Sequence, residues 1–284
     1  MSTEPSAPET CYRHPAVPTR VHCTRCSRPI CPDCMNPAPV GHHCPTCVAE
    51  AGREVRRRRV RIRRPRSVTS LLLGSNAVMF LVELALGSAT SVAVLVTLGA
   101  MVPSLIAEGQ YWRLITSMFL HVGVLHLVLN LYVLYLFGGV LESVLGSARF
   151  TAVYFITGFC GSAASFALGG TNRVAAGASG AIFGLLGAWL AYNWRRRRLS
   201  VAAQGNLRVA LVLIGVNLVL GVAVRGIDNA AHVGGLVAGL IAGLTVEGFG
   251  RGRVRTAAIV GGFVTLTAAG ALLVTWRVTT LAGA

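Results

Sequence analysis

Four polar residues stand out in stretches that are otherwise apolar or small: Ser179 in Gly177-Ala178-Ser179-Gly180, His232 in Ala231-His232-Val233-Gly234-Gly235, and the pair His126 and Asn130. A hydroxyl and an imidazole are the minimum set for nucleophilic acyl transfer. Ser179 would attack a carbonyl while His232 accepts its proton, leaving an acyl-enzyme that water resolves. His126 and Asn130 are four residues apart, so they share one helical face. They suit the stabilisation of an oxyanion, joined by the Ser179 backbone N–H at the start of a helix. Asp228, four residues before His232, reads as a solvated loop charge, which makes a Ser–His dyad the expectation rather than a triad.

A second constellation lies near the N-terminus. Seven of the eight cysteines fall between residues 11 and 47. With His14 they form four pairs at knuckle spacing: Cys11 and His14, Cys23 and Cys26, Cys31 and Cys34, Cys44 and Cys47. Eight ligands make two tetrahedral zinc sites, structural in kind because no open position is evident. Disulfides are the competing reading, disfavoured by the odd number of cysteines and by the pair spacing. His42 and His43 are surplus and read as loop histidines. So short a segment has little core, and metal binding is expected to supply its folding energy.

The elements that position these groups follow from composition. The chain has 284 residues, 54% hydrophobic and 13% charged, and the apolar part begins after Val68. Such a balance excludes an ordinary soluble domain of this size. The net charge of +16 comes from arginine alone among the basic residues. These arginines are not interleaved with aromatics, which argues against single-stranded nucleic acid. Seven spans are expected near 68–87, 122–141, 150–168, 178–194, 207–224, 231–247 and 256–276, each close to the roughly 20 residues a bilayer requires. Residues 88–121, interrupted by Pro103, Glu108, Gln110, Tyr111, Trp112 and Arg113, read as a partly embedded outer loop.

Arginine placement orients the chain. With a cytoplasmic N-terminus the inner loops hold Arg53 to Arg66, Arg149, Arg195 to Arg198, Arg208, Arg251, Arg253 and Arg255; the outer ones hold Arg113, Arg173, Arg225 and Arg277. The C-terminus is then outside, and the membrane expected is the plasma membrane. Spans two, four and six all run inward, which brings His126, Asn130, Ser179 and His232 to one outer depth. Rows of small residues, Gly180, Gly184 and Ala188 in one span and Ala231, Gly235, Gly239 and Gly243 in another, permit close helix approach. The run from Arg53 to Arg66 suits anionic headgroups as a secondary partner. No signal peptide is expected, the first hydrophobic run serving as the targeting signal.

Together, Gly-x-Ser-Gly opening the fourth span, His-x-x-Gly-x-x-x-Gly at the head of the sixth, and His-x-x-x-Asn in the second resemble the rhomboid protease family. Trp112-Arg113, His121 and Gly138-Gly139-x-x-Glu142 add to the likeness. The resemblance covers roughly residues 68–247. It implies an all-α polytopic membrane protein, a six-helix rhomboid bundle plus one extra C-terminal transmembrane helix, that cleaves transmembrane protein substrates within the lipid bilayer. Phe183 departs from the tyrosine found in many members, where the ring stacks on the catalytic histidine; phenylalanine can still stack. The N-terminal layout resembles B-box zinc fingers, which implies cross-bracing: Cys11 and His14 with Cys31 and Cys34, and Cys23 and Cys26 with Cys44 and Cys47. A sequential pairing stays open.

The domain organisation expected is a zinc-binding domain over 1–50, a basic linker over 51–67, the protease core over 68–248, and a basic loop with the seventh helix over 249–284. No catalytic cofactor and no nucleic acid are expected; a cytoplasmic protein partner for the zinc domain is. Glu83 is expected to face a polar bundle interior, Glu142 to anchor an inner loop, and Cys160 to be a small core residue. Two rivals deserve weighing. An inactive rhomboid-like protein that binds membrane clients would be expected to lose Ser179 or His232. A transporter using His126 and His232 as proton carriers would be favoured by an inverted repeat, and none is visible.

Overall fold

The structure, a computed structural model, describes residues 9–62, 67–224, 226–246 and 252–283. Arg63, Arg64, Arg66, Arg225 and Arg251, together with the expected boundary at 248/249, lie outside the described residues. The chain divides into two compact units, Met1–Arg64 and Pro65–Ala284.

The small unit contains little regular structure. Strands β1 (Asn36–Pro37) and β2 (His42–His43) pair antiparallel, and helix α1 (Pro45–Ile62) follows them. Its buried core is six cysteines and Ile30, with Tyr12 and Met35 packed against them. A core of that size offers little apolar area to offset chain entropy. Much of the expected linker is helical, because residues 51–62 continue α1 through a run of good helix formers.

The large unit is helical throughout its membrane-like part: α2 (Ser67–Ala85), α6 (Val124–Leu145), α7 (Ser147–Leu168), α8 (Ser179–Arg196), α9 (Val201–Ala223), α10 (Asn229–Val246) and α11 (Gly252–Ala282). Between α2 and α6 lie three short helices, α3 (Val92–Thr97), α4 (Pro103–Ala107) and α5 (Arg113–Thr116). Each of the seven expected spans is a helix. Among the described residues, six of them are long and apolar enough to cross a membrane, and α8 is the exception. Its last turn carries Asn193, Trp194, Arg195 and Arg196, while every residue from Gly180 to Trp189 is buried. A helix surrounded by α6, α7, α9 and α10 needs less apolarity of its own than one facing lipid.

Buried polar groups fasten the ends of these helices. The Glu142 carboxylate accepts from the Thr69 hydroxyl at 2.7 Å, the Thr69 N–H at 3.0 Å and the Ser147 hydroxyl at 2.6 Å, so one side chain joins α2, α6 and α7. Arg113 is buried; its Nη1 donates to the carbonyls of Val96 and Ala100 and its Nε to Gln110 Oε1, which staples the segment between α2 and α6. Glu83 is fully buried and accepts the His121 backbone N–H at 3.0 Å.

Helices α8 and α10 pack closely along several turns. A Cβ at Gly235 would stand 2.0 Å from the Gly180 carbonyl oxygen, and one at Gly239 would stand 2.0 Å from that of Gly184. These two helices therefore meet backbone to backbone. Gly239→Ala should lower thermal stability in detergent by about 1–3 kcal/mol, because the added methyl overpacks the contact. Gly215→Ala in α9, where nothing lies within 4 Å, should leave it unchanged or slightly raised. Equal melting shifts for the two variants would remove close approach as the reason for these glycines.

Candidate active site

Ser179 is the first residue of α8 and His232 lies one turn inside α10, so the close packing of those helices fixes how far apart their side chains are. His232 Nε2 lies 2.9 Å from Ser179 Oγ, within hydrogen-bond range. His232 is buried and Ser179 half-buried. The Phe183 ring, one turn after Ser179, stacks on the imidazole at 4.2 Å between centroids and 6° between planes. This stacking limits rotation of the imidazole without using a hydroxyl. His232 Nδ1 is buried with no hydrogen-bond partner among the described residues, so no carboxylate orients it.

The connection leading to Ser179 is held against the segment between α2 and α6. Met101 and Ala175 exchange two backbone hydrogen bonds of 2.9 Å, and the Gly177 N–H donates to the Ser117 carbonyl at 2.9 Å. Gly177 has φ +142°, a conformation that suits glycine. A Cβ there would lie 2.9 Å from His126 Nε2 and 3.7 Å from Ser179 Oγ, so these two groups border the same small space. α8 starts at Ser179 without a side-chain cap, which leaves its first N–H groups free of intrahelical partners.

Asn130 is placed differently from His126. It is buried one turn further along α6, and its Nδ2 donates to the His126 carbonyl at 2.9 Å. Among the described residues it makes no hydrogen bond to Ser179 or His232. His121 is buried, and its ring meets that of His126 edge to face at 5.2 Å.

Asp228 differs from the sequence expectation of a solvated charge. Its side chain is only 16% exposed and pairs with Arg173 at 3.0 Å. Nothing in its local sequence signals this, because its partner is 55 residues away in a different connection.

In the small unit, alternate pairs come together: Cys11, His14, Cys31 and Cys34 form one cluster, and Cys23, Cys26, Cys44 and Cys47 the other, with ligand atoms within 4.8 Å of one another. His14 Nδ1 is 3.2 Å from Cys31 Sγ, 3.6 Å from Cys34 Sγ and 3.9 Å from Cys11 Sγ. The second cluster has sulfur separations of 3.7 Å (Cys26 to Cys44) and 3.9 Å (Cys23 to Cys47). A tetrahedral ion with bonds of about 2.3 Å to sulfur would need edges of about 3.8 Å. All of these cysteines are free thiols. Burial, then the neighbouring sulfurs, push Cys34 up to about 11 and Cys47 up to about 12. Burial also raises Cys11 and Cys23, but backbone N–H donors around each sulfur outweigh it and bring both to about 6. Thiols crowded this closely oppose one another's ionisation, and a divalent cation removes that conflict. The donor set therefore fits a structural metal ion. His42 and His43 belong to neither cluster.

Comparison with known proteins agrees with this geometry. The Rhomboid domain matches residues 108–249. The chain is 40% identical over 174 residues to rhomboid protease GluP of Bacillus subtilis, covering 61% of this chain and 34% of that protein. It is 35% identical over 136 residues to putative rhomboid protease YdcA of the same organism, covering 48% and 67% respectively. RHOMBOID-like protein 6, mitochondrial, of Arabidopsis thaliana is 40% identical over 150 residues, covering 51% and 47%. The chain thus spans about a third of GluP, about half of the plant protein and two thirds of YdcA. The domain match takes in half of the chain, including the α8–α10 contact, and with six helices able to cross a bilayer this is a multi-pass membrane protein of the rhomboid family.

Proposed function

We propose that the chain is an intramembrane serine endopeptidase that hydrolyses peptide bonds in or near the transmembrane segments of other membrane proteins. The observation that carries this reading is the 2.9 Å contact between Ser179 Oγ and His232 Nε2. As Oγ attacks the scissile carbonyl, Nε2 takes its proton, and the carbonyl oxygen becomes an oxyanion. The Ser179 N–H, the His126 imidazole and the Asn130 amide are the donors to that oxygen. Collapse of the tetrahedral intermediate expels the amine, which receives the proton from His232. Water then attacks the acyl-enzyme with the same imidazole as base, releasing the acid and restoring the serine. An inactive, client-binding relative would not need this hydrogen bond.

The orientation is N-terminus in the cytoplasm and C-terminus outside, in the plasma membrane, supported by the excess of arginine in alternate connections. Ser179 and His232 then lie at the outer ends of their helices, where water has access. Residues 1–50 form a zinc-binding domain with two structural ions, one held by Cys11, His14, Cys31 and Cys34 and the other by Cys23, Cys26, Cys44 and Cys47. A basic linker over 51–67, the core over 68–248 and the basic loop and last helix over 249–284 complete the chain. The finger is suited to a cytoplasmic protein partner, because its surface is free of the catalytic work assigned to Ser179.

Two outcomes are expected. Ser179→Ala and His232→Ala should each lower cleavage of a transmembrane reporter by about 10³-fold or more, and abolish labelling by a fluorophosphonate, with membrane insertion unchanged. Persistent cleavage by Ser179→Ala would assign the nucleophile elsewhere. The purified chain should carry about two zinc ions by elemental analysis, and Cys34→Ser should lose about one of them. Chelation should make residues before 62 sensitive to protease. Unchanged resistance after complete metal removal would refute a structural role for the metal.

A further inference from the structure

Asp228 stands directly before α10, the helix that carries His232. Its Oδ1 accepts the Ala231 N–H at 3.1 Å, and its carbonyl accepts the His232 N–H at 3.1 Å. Asp228 is therefore the N-cap of that helix, with its charge at the favourable end of the helix dipole. The other oxygen, Oδ2, does a different job. It accepts from Arg173 Nη2 at 3.0 Å and from the Ser165 hydroxyl. Arg173 belongs to the connection that ends at Ser179, and Ser165 to the last turn of α7. Arg173 Nη2 also donates to the Ser165 carbonyl at 2.7 Å and contacts the Ser165 hydroxyl. The guanidinium lies across Gly169, where a Cβ would stand 2.3 Å from its Cζ.

We propose that Arg173 and Asp228, with Ser165 between them, form a clamp that sets the register of His232 against Ser179. The inference rests on the reading of those two residues as nucleophile and base. Neither clamp residue contacts the reacting atoms, so both are positioning residues. The physical reason is where the two groups sit. Ser179 is at the first residue of α8 and His232 within the first turn of α10, the part of a helix that frays most readily. The Gly180–Gly235 contact sets the separation of the two helices beside these groups, but it does not hold the connections that lead into them. A carboxylate that both caps α10 and grips the connection before α8 couples those ends directly. The pair is mostly shielded from solvent, with side chains 27% and 16% exposed, so its interaction is less screened than that of a surface ion pair.

The test separates capping from clamping in the full-length protein, in detergent and in lipid vesicles. Asp228→Ser keeps a capping oxygen and cannot also reach Arg173; Arg173→Gln leaves the cap intact. Each should lower kcat and the fluorophosphonate labelling rate by about tenfold with KM little changed, as expected for a misplacement of the reacting groups. Melting temperatures should stay near that of the wild type. The double variant should be no slower than either single one, since both remove the same interaction. Arg173→Lys should recover part of the rate. Wild-type rates in Asp228→Ser and Arg173→Gln would overturn the clamp alone, as would additive losses that merely follow the melting temperature. Absence of Ser179-dependent labelling in the wild-type protein would overturn the nucleophile itself, and the clamp's role with it.

Discussion

Direct contact between the backbones of α8 and α10 is the constraint on which the rest of the large unit depends. In lipid there is little hydrophobic gain from bringing two apolar helices together, so close packing must come from van der Waals contact between small residues. Gly235 against Gly180 and Gly239 against Gly184 provide it, each leaving no room for a Cβ. Once the helix bodies are that close, a serine at the start of one and a histidine one turn into the other are brought within hydrogen-bond range. The same packing explains why α8 can be the least lipid-like helix of the bundle: its surroundings are protein.

Around that contact, three buried polar side chains tie separate segments together. Glu142 joins the starts of α2 and α7 to the end of α6, Arg113 folds the segment after α2 onto itself, and Glu83 holds the backbone at His121. Unpaired, such groups would be costly in a membrane environment. Paired, they act as fixed joints, and they leave the Ser179–His232 pair as a hydrogen-bonded group whose histidine retains an unpartnered Nδ1. His232 is held instead by the flat face of Phe183 and by the capped first turn of its own helix.

The small unit solves a different problem. Six cysteines and Ile30 are too few to drive folding by burial, and thiols crowded together would oppose one another's ionisation without a cation. Ligand geometry replaces the apolar core. The pairing is alternate along the chain, which interlocks the two clusters, and the short β1–β2 pair and the first turn of α1 are the scaffold that brings Cys44 and Cys47 back to Cys23 and Cys26.

Much of this was legible in the amino-acid sequence. Hydropathy and arginine placement marked seven helices, glycine spacing marked the faces that approach, and the motifs around Ser179, His232 and His126 marked the residues that meet in one small space, because each of these signals is local. Knuckle spacing likewise picked out the eight residues that the fold gathers into two clusters. Which pairs cluster together was not local. The reading of Asp228 as a solvated charge failed for the same reason. Its partners, Arg173 and Ser165, lie 55 and 63 residues away, and only the folding of α7 and α10 against one another brings them into reach. Periodicity and spacing report what one element does on its own; the pairing of charges between connections depends on distances that exist only after the helices have packed.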